Sequence, residues 1–533
     1  MVSKQVFSSQ STKTSKHTPS VAPVTDTKNT AGGKAYNTGA KHTLAQIACT
    51  GTFNGTFYAD GEHVLKLAET AIDELWNDPE YIAKVAIYSR ERGFMKDMPA
   101  YLVAKLADVD KKLFRKTFRK VVDNGKMLRN VIQIARSSRL NKKYNLSAGT
   151  WRHALRDWFS TRDVRQLFHA AIGNDPTMAD IIKMARPRPE TSEKAILYRY
   201  LIGKPVAVEE LPEPVRSYEM YRKGINKSEV PSVDFRYLTD LGLGTEEWKS
   251  VAKNANWTMT RMNLNTFLRH GVFEDKEMVK LIADRLRNKE LIEKAKAFPY
   301  QLFMAYKAAS GVPFEITEAL QDAMEIAVSN TPVFEGQTYV GIDVSGSMTS
   351  PVTGNRGSAT SNVRCLDAAA LYGSAILRNN RSAEIMPFSD RLYPEVKLNG
   401  RDSVMSNTKT LSSLRAGGTD CSLVLAELNR KNAKGNAVVY VSDNESWIES
   451  QGRWGRRGTG MMNEWVAFKK RNPSARLVLI DLAASNNSQV TQHDDILQVG
   501  GFSDTVFKVI DTFLRHGHDT DHWVSEISKV SLD

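Results

Sequence analysis

The stretch Tyr339-Val-Gly-Ile-Asp-Val-Ser-Gly-Ser347 decides how this chain is read. Tyr339, Val340, Ile342 and Val344 are the residues of a short buried strand. An extended backbone sends positions two apart to one face, so Asp343, Ser345 and Ser347 leave the end of that strand together. Three hard oxygen donors carrying a single charge suit Mg²⁺ or another small divalent cation, which needs few carboxylates and keeps some water. Taken alone, the pattern describes a polar turn after a strand equally well.

The spacing resembles that of the metal-ion-dependent adhesion site of von Willebrand factor A domains. That resemblance implies two more ligands from separate loops: Thr419 in Ala416-Gly-Gly-Thr-Asp420, and Asp443 closing Val438-Val-Tyr-Val-Ser-Asp443. From Gly336 onward, strands are expected at 338–342, 383–387, 437–442 and 476–482. Helices are expected at 367–378, 420–431, 462–471 and 506–514, the second capped by Thr419 or Asp420. Strands alternating with helices specify a mainly parallel, doubly wound (Rossmann-like) α/β sheet covered on both faces. The carboxyl ends of such strands form the binding crevice, where Asp343 and Asp443 fall. Residues 336–533 are accordingly read as one α/β domain.

Upstream the grammar is helical. Val64, Leu65, Leu67, Ala68, Ala71, Ile72 and Leu75 recur at three and four, and similar stripes follow. Helices are expected at 99–106, 113–122, 127–135, 151–159, 164–172, 178–185 and 192–201, the last opened by Ser192 and Glu193. They resume at 237–241, 248–252, 262–269, 276–287, 290–297, 299–308 and 316–329, after a proline-rich stretch, 205–214, read as an exposed connection. Residues 35–332 are thus expected to be all-α, a helical-repeat stack, although no clean repeat period is present. Residues 1–34, poor in apolar side chains, are expected to be a disordered basic arm.

A chain of 533 residues exceeds one core, and 41% hydrophobic with 25% charged residues is the balance of a globular protein. Nothing approaches an 18-residue apolar run, and the first thirty residues lack the apolar segment of a secretory signal, so no membrane partner is expected. Three scattered cysteines, Cys49, Cys365 and Cys421, argue against a disulfide framework or zinc ribbon and for a reducing, cytoplasmic home.

The net charge of +13 is unevenly spread: residues 336–533 hold 22 basic against 21 acidic side chains, and residues 1–335 hold 51 against 39. Between Lys111 and Lys143 there are twelve basic residues and one acid, Asp123. Such a field attracts polyanions, nucleic acid above all; its bland alternative is a solvated helix face. The candidate RNA-binding residues are Lys111, Lys112, Arg115, Lys116, Arg119, Lys120, Arg129, Arg136, Arg139, Lys142 and Lys143. Arg152, Arg156, Arg162, Arg165, Lys183, Arg186 and Arg188 extend them. Phe114 and Phe118, interleaved with the charges, are expected in the core.

These motifs together resemble the Ro autoantigen family, a TROVE module followed by a von Willebrand A domain, in its bacterial form. The resemblance rests on Ala416-Gly-Gly-Thr-Asp-Cys-Ser-Leu423, Asp343-Val-Ser-Gly-Ser347, Phe388-Ser-Asp390, Asp443-Asn-Glu445 and Gly501-Phe502. In the helical part it rests on Trp151-Arg-His-Ala-Leu-Arg-Asp-Trp-Phe159, Asp180-Ile-Ile-Lys183, Arg261-Met-Asn-Leu264 and Phe298-Pro-Tyr300. It implies a HEAT-like helical ring, monomeric, closed by the A domain. It also implies small non-coding Y RNA on the basic outer surface and single-stranded 3′ ends of misfolded or immature RNA in the central hole. Polynucleotide phosphorylase, or another exoribonuclease, is an implied partner through the Y RNA, with roles in RNA processing and stress survival. One position departs: Met178 stands where animal members carry a His that holds Y RNA, and His169 and Arg165 are its candidate replacements.

Mostly neutral oxygens leave a bound metal electron-poor and receptive to a partner's acidic group, so binding is expected rather than catalysis, and no enzyme activity. The alternatives are a metal-dependent protein-binding adaptor without an RNA function and, further off, a Mg²⁺-dependent nuclease. His516, His518 and His522 are read as a solvated polar tail, and His270 as the end of a helix before Gly271.

Overall fold

The computed structural model describes residues 17–54, 56, 60–137, 144–295, 297, 299–328, 331–355, 363–414, 417–448, 458–503, 505–516 and 519–533. Arg139, Lys142, Lys143 and His518 lie outside them. Nineteen α-helices, from Ala40–Thr50 to Phe314–Ala327, precede the main sheet among the described residues. Two expected helices have the expected limits, Met178–Ala185 and Ser192–Leu201, but the cap of the second is Thr191, whose side chain accepts from the Lys194 amide.

Four short strands lie outside or beyond the expected set: β1 (Thr27–Lys28), β2 (Lys34–Asn37), β7 (Asn487–Ser488) and β8 (Ile496–Gly500). The remaining strands, β3 (Thr338–Asp343), β4 (Glu384–Phe388), β5 (Ala437–Ser442) and β6 (Arg476–Asp481), join β8 in a parallel sheet of order β4-β3-β5-β6-β8. β3 and β5 are buried at every position, because helices cover both faces. This is the doubly wound α/β domain that the alternation specifies.

A stack of helices exposes an apolar face at each end, and here the C-terminal domain covers both. At the first end, Ala40–Thr50 and Pro79–Glu91 pack against β8 and the helix His522–Ser528. Trp523 is fully buried there, donating from Nε1 to Tyr88 Oη at 3.2 Å with the His42 ring edge-on at 5.4 Å. At the other end, Pro299–Ala308 and Phe314–Ala327 pack against Cys365–Asn379 and Val404–Ser412. Lys307 Nζ meets Asp367 at 2.8 Å, and Glu325 pairs with Arg378 at 2.8 Å while accepting from the Val404 amide at 2.7 Å. One hydrophobic cluster therefore runs from Leu44 through the helices to Val530. The array is closed into a ring.

Several expectations are corrected. Residues 17–34 are not a disordered arm: they lie along the C-terminal domain, and β2 pairs with both β1 and β7. Their polar groups find partners there, Thr18 Oγ1 on Asp495 at 2.7 Å and Asn29 Nδ2 on Ser446 O at 2.7 Å, while Ala22 and Tyr36 join the cluster on the sheet's second face. The proline-rich connection is not exposed throughout, since Val208 and Leu211 are buried, and an unforeseen helix, Val215–Arg222, follows it. The expected single helix at 262–269 is two, Trp257–Met262 and Leu264–Arg269, joined at Asn263. His522 is buried on its helix rather than solvated, and burial lowers its pKa. His270 does end its helix, stacked on Trp248 at 4.5 Å.

Asp367 provides a test of ring closure. Burial opposes its ionisation, but hydrogen bonds from Arg364 (2.9 Å) and Lys307 (2.8 Å) outweigh burial and hold the carboxyl below its ordinary range. A carboxylate with a depressed folded pKa stabilises the fold above its unfolded value, and that contribution is lost as pH falls through the folded value. Thermal melts should therefore show stability falling below about pH 4. In Asp367→Asn the same melts should start lower at pH 7 and fall less steeply with acid.

Candidate metal centre and nucleic-acid interface

The residues of the opening stretch meet where β3 and β5 end. Asp343, Ser345, Ser347, Thr419 and Asp443 are all nearly fully buried. Asp343 Oδ1 accepts from the Ser345 amide at 2.8 Å and Oδ2 from Ser442 Oγ at 2.6 Å; Ser345 Oγ and Ser347 Oγ lie 3.1 Å apart. The loops interlock through backbone: Gly346 N donates to Gly417 O at 3.0 Å and Asp420 N to Ser389 O at 2.8 Å. Thr419 and Asp420 precede the helix Leu423–Arg430 rather than capping it; Ser422 holds the cap position and donates from Oγ to Asp420 at 2.6 Å. Asn444 is left-handed (φ 63°), a conformation Asn tolerates, and this turns the chain immediately after Asp443.

Burial raises the Asp343 pKa, and burial followed by the facing Asp343 charge pushes Asp443 well above the carboxylate range, against a hydrogen bond from Ser347. Thr419 Oγ1 is buried without a hydrogen-bond partner. Two carboxylates that repel one another and an orphaned hydroxyl are what a bound divalent cation resolves, so the residues present fit one. Among the described residues no group of three or more His, Cys, Asp or Glu side chains is arranged to hold a metal.

The basic candidates divide. Lys111, Lys112, Arg115, Arg119, Arg136, Arg165, Lys183, Arg186 and Arg188 are exposed. Phe114 and Phe118 are buried beneath the first four, packed on Trp151. Arg136 reaches Met184 Sδ at 2.8 Å and Arg156 donates to Ala185 O at 2.9 Å, which gathers Arg136, Arg156, Lys183 and Arg186 around the end of Met178–Ala185. Met178 itself is buried and His169 is exposed, within 3.1 Å of Asp234.

Other candidates are structural, and this corrects the expectation. Arg129 is buried, donating to Ala170 O at 3.0 Å and to Ile172 O. Gly173 (φ 126°) admits it, since a Cβ there would lie 2.6 Å from Arg129 Nε. Arg162 stacks 3.9 Å over Trp158 and donates to the carbonyls of Trp158, Val122 and Asp123; burial lowers its pKa to about 10. Lys116 and Lys120 are half-buried, bound to Asp533 and Ser531. Arg152 is half-buried with its Nε unpartnered.

Of the residues inside the ring, sequence reasoning named Arg129 and missed the others. A cavity of about 960 Å³ is bounded by the first helices, Tyr300 and the C-terminal Phe502, with Arg90, Lys96 and Lys126 on its wall. A second, of about 870 Å³, shares Arg90 and Phe94 with it and adds Lys508. Lys126 sits inside the basic run and was legible there; Phe94, left-handed at φ 57° and 41% exposed, carries no sequence signal.

Fold and site together define a helical ring closed by a von Willebrand A domain. Residues 337–514 match the family model described as the Ro60 vWA domain. The chain is 22% identical to the RNA-binding protein RO60 of Deinococcus radiodurans, over 92% of this chain and 95% of that protein. It is 24% identical to the RNA-binding protein RO60 of Caenorhabditis elegans over 45% of this chain and 37% of the relative. The crystal structure of the Deinococcus radiodurans RO (RSR) protein superposes with a TM-score of 0.61 at 19% identity, covering 89% of this chain and 99% of that one. Residues 337–514 are thus similar to the Ro60 vWA domain, and similarity to a Ro protein extends over 92% of the chain.

Arg129→Ala should act on stability, leaving two carbonyls without their charged donor at a cost of about 2 kcal/mol in urea unfolding. Lys111→Ala with Lys112→Ala, both exposed, should leave the unfolding midpoint unchanged.

Proposed function

We propose that this chain is the protein of a Ro-type ribonucleoprotein. It binds small non-coding Y RNA on its basic outer surface and takes single-stranded 3′ ends of misfolded or immature RNA into the ring. The observation carrying this reading is that the charge excess stays exposed along 111–119 and around Arg136, Lys183, Arg186 and Arg188 while its aromatic neighbours are buried. The two relatives named RNA-binding protein support it. Lys96 and Lys126, with Arg90 paired to Asp123 at 2.8 Å, supply positive groups on a wall that also carries Asp97 and Asp175, and Phe94, Tyr300 and Phe502 supply π faces on which unpaired bases stack without regard to sequence. Stacking faces of this kind engage unpaired bases, so a free single-stranded tail is the feature selected. An exoribonuclease recruited by the Y RNA then acts on that tail; the chain itself binds and does not cleave. The surroundings are cytoplasmic, in keeping with three buried, unpaired cysteines.

At the carboxyl edge of the sheet, Asp343, Ser345, Ser347, Thr419 and Asp443 hold Mg²⁺ or a similar divalent cation, which supplies a positive centre for an acidic group of a partner.

Filter binding tests the RNA reading. Affinity for a hairpin with a 3′ single-stranded tail should exceed that for the blunt hairpin, and should fall by a factor on the order of 10³ between about 50 and 200 mM salt. Lys111→Ala with Lys112→Ala should reduce the salt slope by about two counterions; equal binding of blunt and tailed hairpins removes the proposal. Thr419→Val tests the metal. Replacing an orphaned hydroxyl by a methyl should leave the melting temperature in EDTA unchanged or slightly raised, and should abolish the rise that Mg²⁺ gives the unmodified chain.

A further inference from the structure

Asp443 is carried by the loop 443–448, and this loop is gripped from two sides. On one side it holds the Thr419 loop: the Trp447 and Ile448 amides both donate to Thr419 O at 3.1 Å, and Cys421 N donates to Ser446 Oγ at 3.1 Å. On the other side lies the amino-terminal segment. Asn29 Nδ2 donates to Ser446 O at 2.7 Å, and the Ala31 amide donates to Glu445 Oε2 at 3.0 Å, with Thr30 also bonded to that carboxylate. Asn29 is buried, and its own Oδ1 accepts from the Gly33 amide at 2.7 Å, which folds 29–33 into a closed turn. Gly33 comes so close that a Cβ would stand 2.0 Å from Ser446 O and 3.1 Å from Trp447 Cα. The segment is fixed on either side of this turn, by Thr18 on Asp495 and by β2 on β7.

We propose that residues 29–33 are a latch that sets the metal centre: Asn29, Ala31 and Gly33 are positioning residues for Asp443 and, through Trp447 and Ile448, for Thr419. This rests on the metal reading above. The turn holds the Glu445 carboxylate on backbone amides of 30 and 31, which fixes its position beside Asp443. With the latch released, Ser446 and Glu445 lose these partners and the loop must be ordered by the cation itself, which lowers affinity. Coupling between two sites is reciprocal, so the cation must in turn hold the latch closed. A partner that pulled on the amino-terminal segment would thereby weaken metal binding, and so whatever acidic group the metal holds.

The test is titration calorimetry of Mg²⁺ into the full chain, Asn29→Ala and Gly33→Ala, beside trypsin cleavage after the exposed Lys28 followed by intact mass. Both variants should bind Mg²⁺ about five- to tenfold more weakly, and Mg²⁺ should slow Lys28 cleavage of the unmodified chain by a similar factor. Asn29→Ala removes hydrogen bonds without adding bulk, and keeps the test decisive should Gly33→Ala fail to fold. Equal Mg²⁺ affinity in Asn29→Ala, with cleavage indifferent to Mg²⁺, overturns the latch and leaves the metal centre standing. No Mg²⁺ binding by the unmodified chain overturns both.

Discussion

Everything in this molecule depends on burying the two ends of an open stack of helices. A repeat stack has no intrinsic stop, and its terminal helices each leave an apolar face that water penalises. Here a single α/β domain caps both. Its two seams are chemically unlike. Trp523, His42 and Tyr88 make the first an aromatic joint, rimmed by His42 on Asp521 and Lys84 on Ser528 O. Lys307, Asp367, Arg378 and Glu325 make the second an ionic one. The shared core from Leu44 to Val530 follows from this closure, because neither part covers its apolar surface alone.

Closure also sorts the positive charges. Helix ends carry carbonyls with no partner inside the helix, and a ring of short helices has many of them. Arg129 and Arg162 are spent on such carbonyls, and Lys120 on carbonyls near the chain's last residue. Periodicity shows which side of Lys111–Val121 faces out, since Phe114 and Phe118 define the inner stripe, and exposure there follows the expectation. It cannot show that Arg129 turns inward, because the carbonyls it serves come from residues 170 and 172, more than forty positions away in the chain.

The same distinction separates what was legible of the fold. Strands β3, β5 and β6 and most helices announce themselves by apolar runs or stripes bounded by turns. Ala40–Thr50 does not, since nearly every side of it is buried and no polar face marks its period. Val404–Ser412 and His522–Ser528 are short and mixed in composition, and only their docking on the ring makes them helices. The segment 17–37 has a composition that supports no core by itself. It is ordered because the C-terminal domain offers it specific partners. That the five candidate ligands meet was legible for the opposite reason: Asp343, Ser345 and Ser347 are local to one strand end, and Thr419 and Asp443 sit in recognisable loops.

Two buried aspartates of one domain support the proposal of a receptor for a cation over that of a brace. Asp367 and Asp343 are equally removed from solvent. Asp367 is met by Arg364 and Lys307, and its pKa is held down. Asp343 and Asp443 are met by hydroxyls and amides, with no ion pair to Lys, Arg or His among the described residues, and burial raises both. A buried charge without a compensating charge is costly, and a fold that needed Asp343 only for structure would gain by supplying a cation, as it does for Asp367. Under the metal reading proposed above, leaving the pair uncompensated leaves room for a cation from solution. The adjoining Glu445 adds to the negative charge beside Asp443, its carboxylate fixed there by the amides of residues 30 and 31.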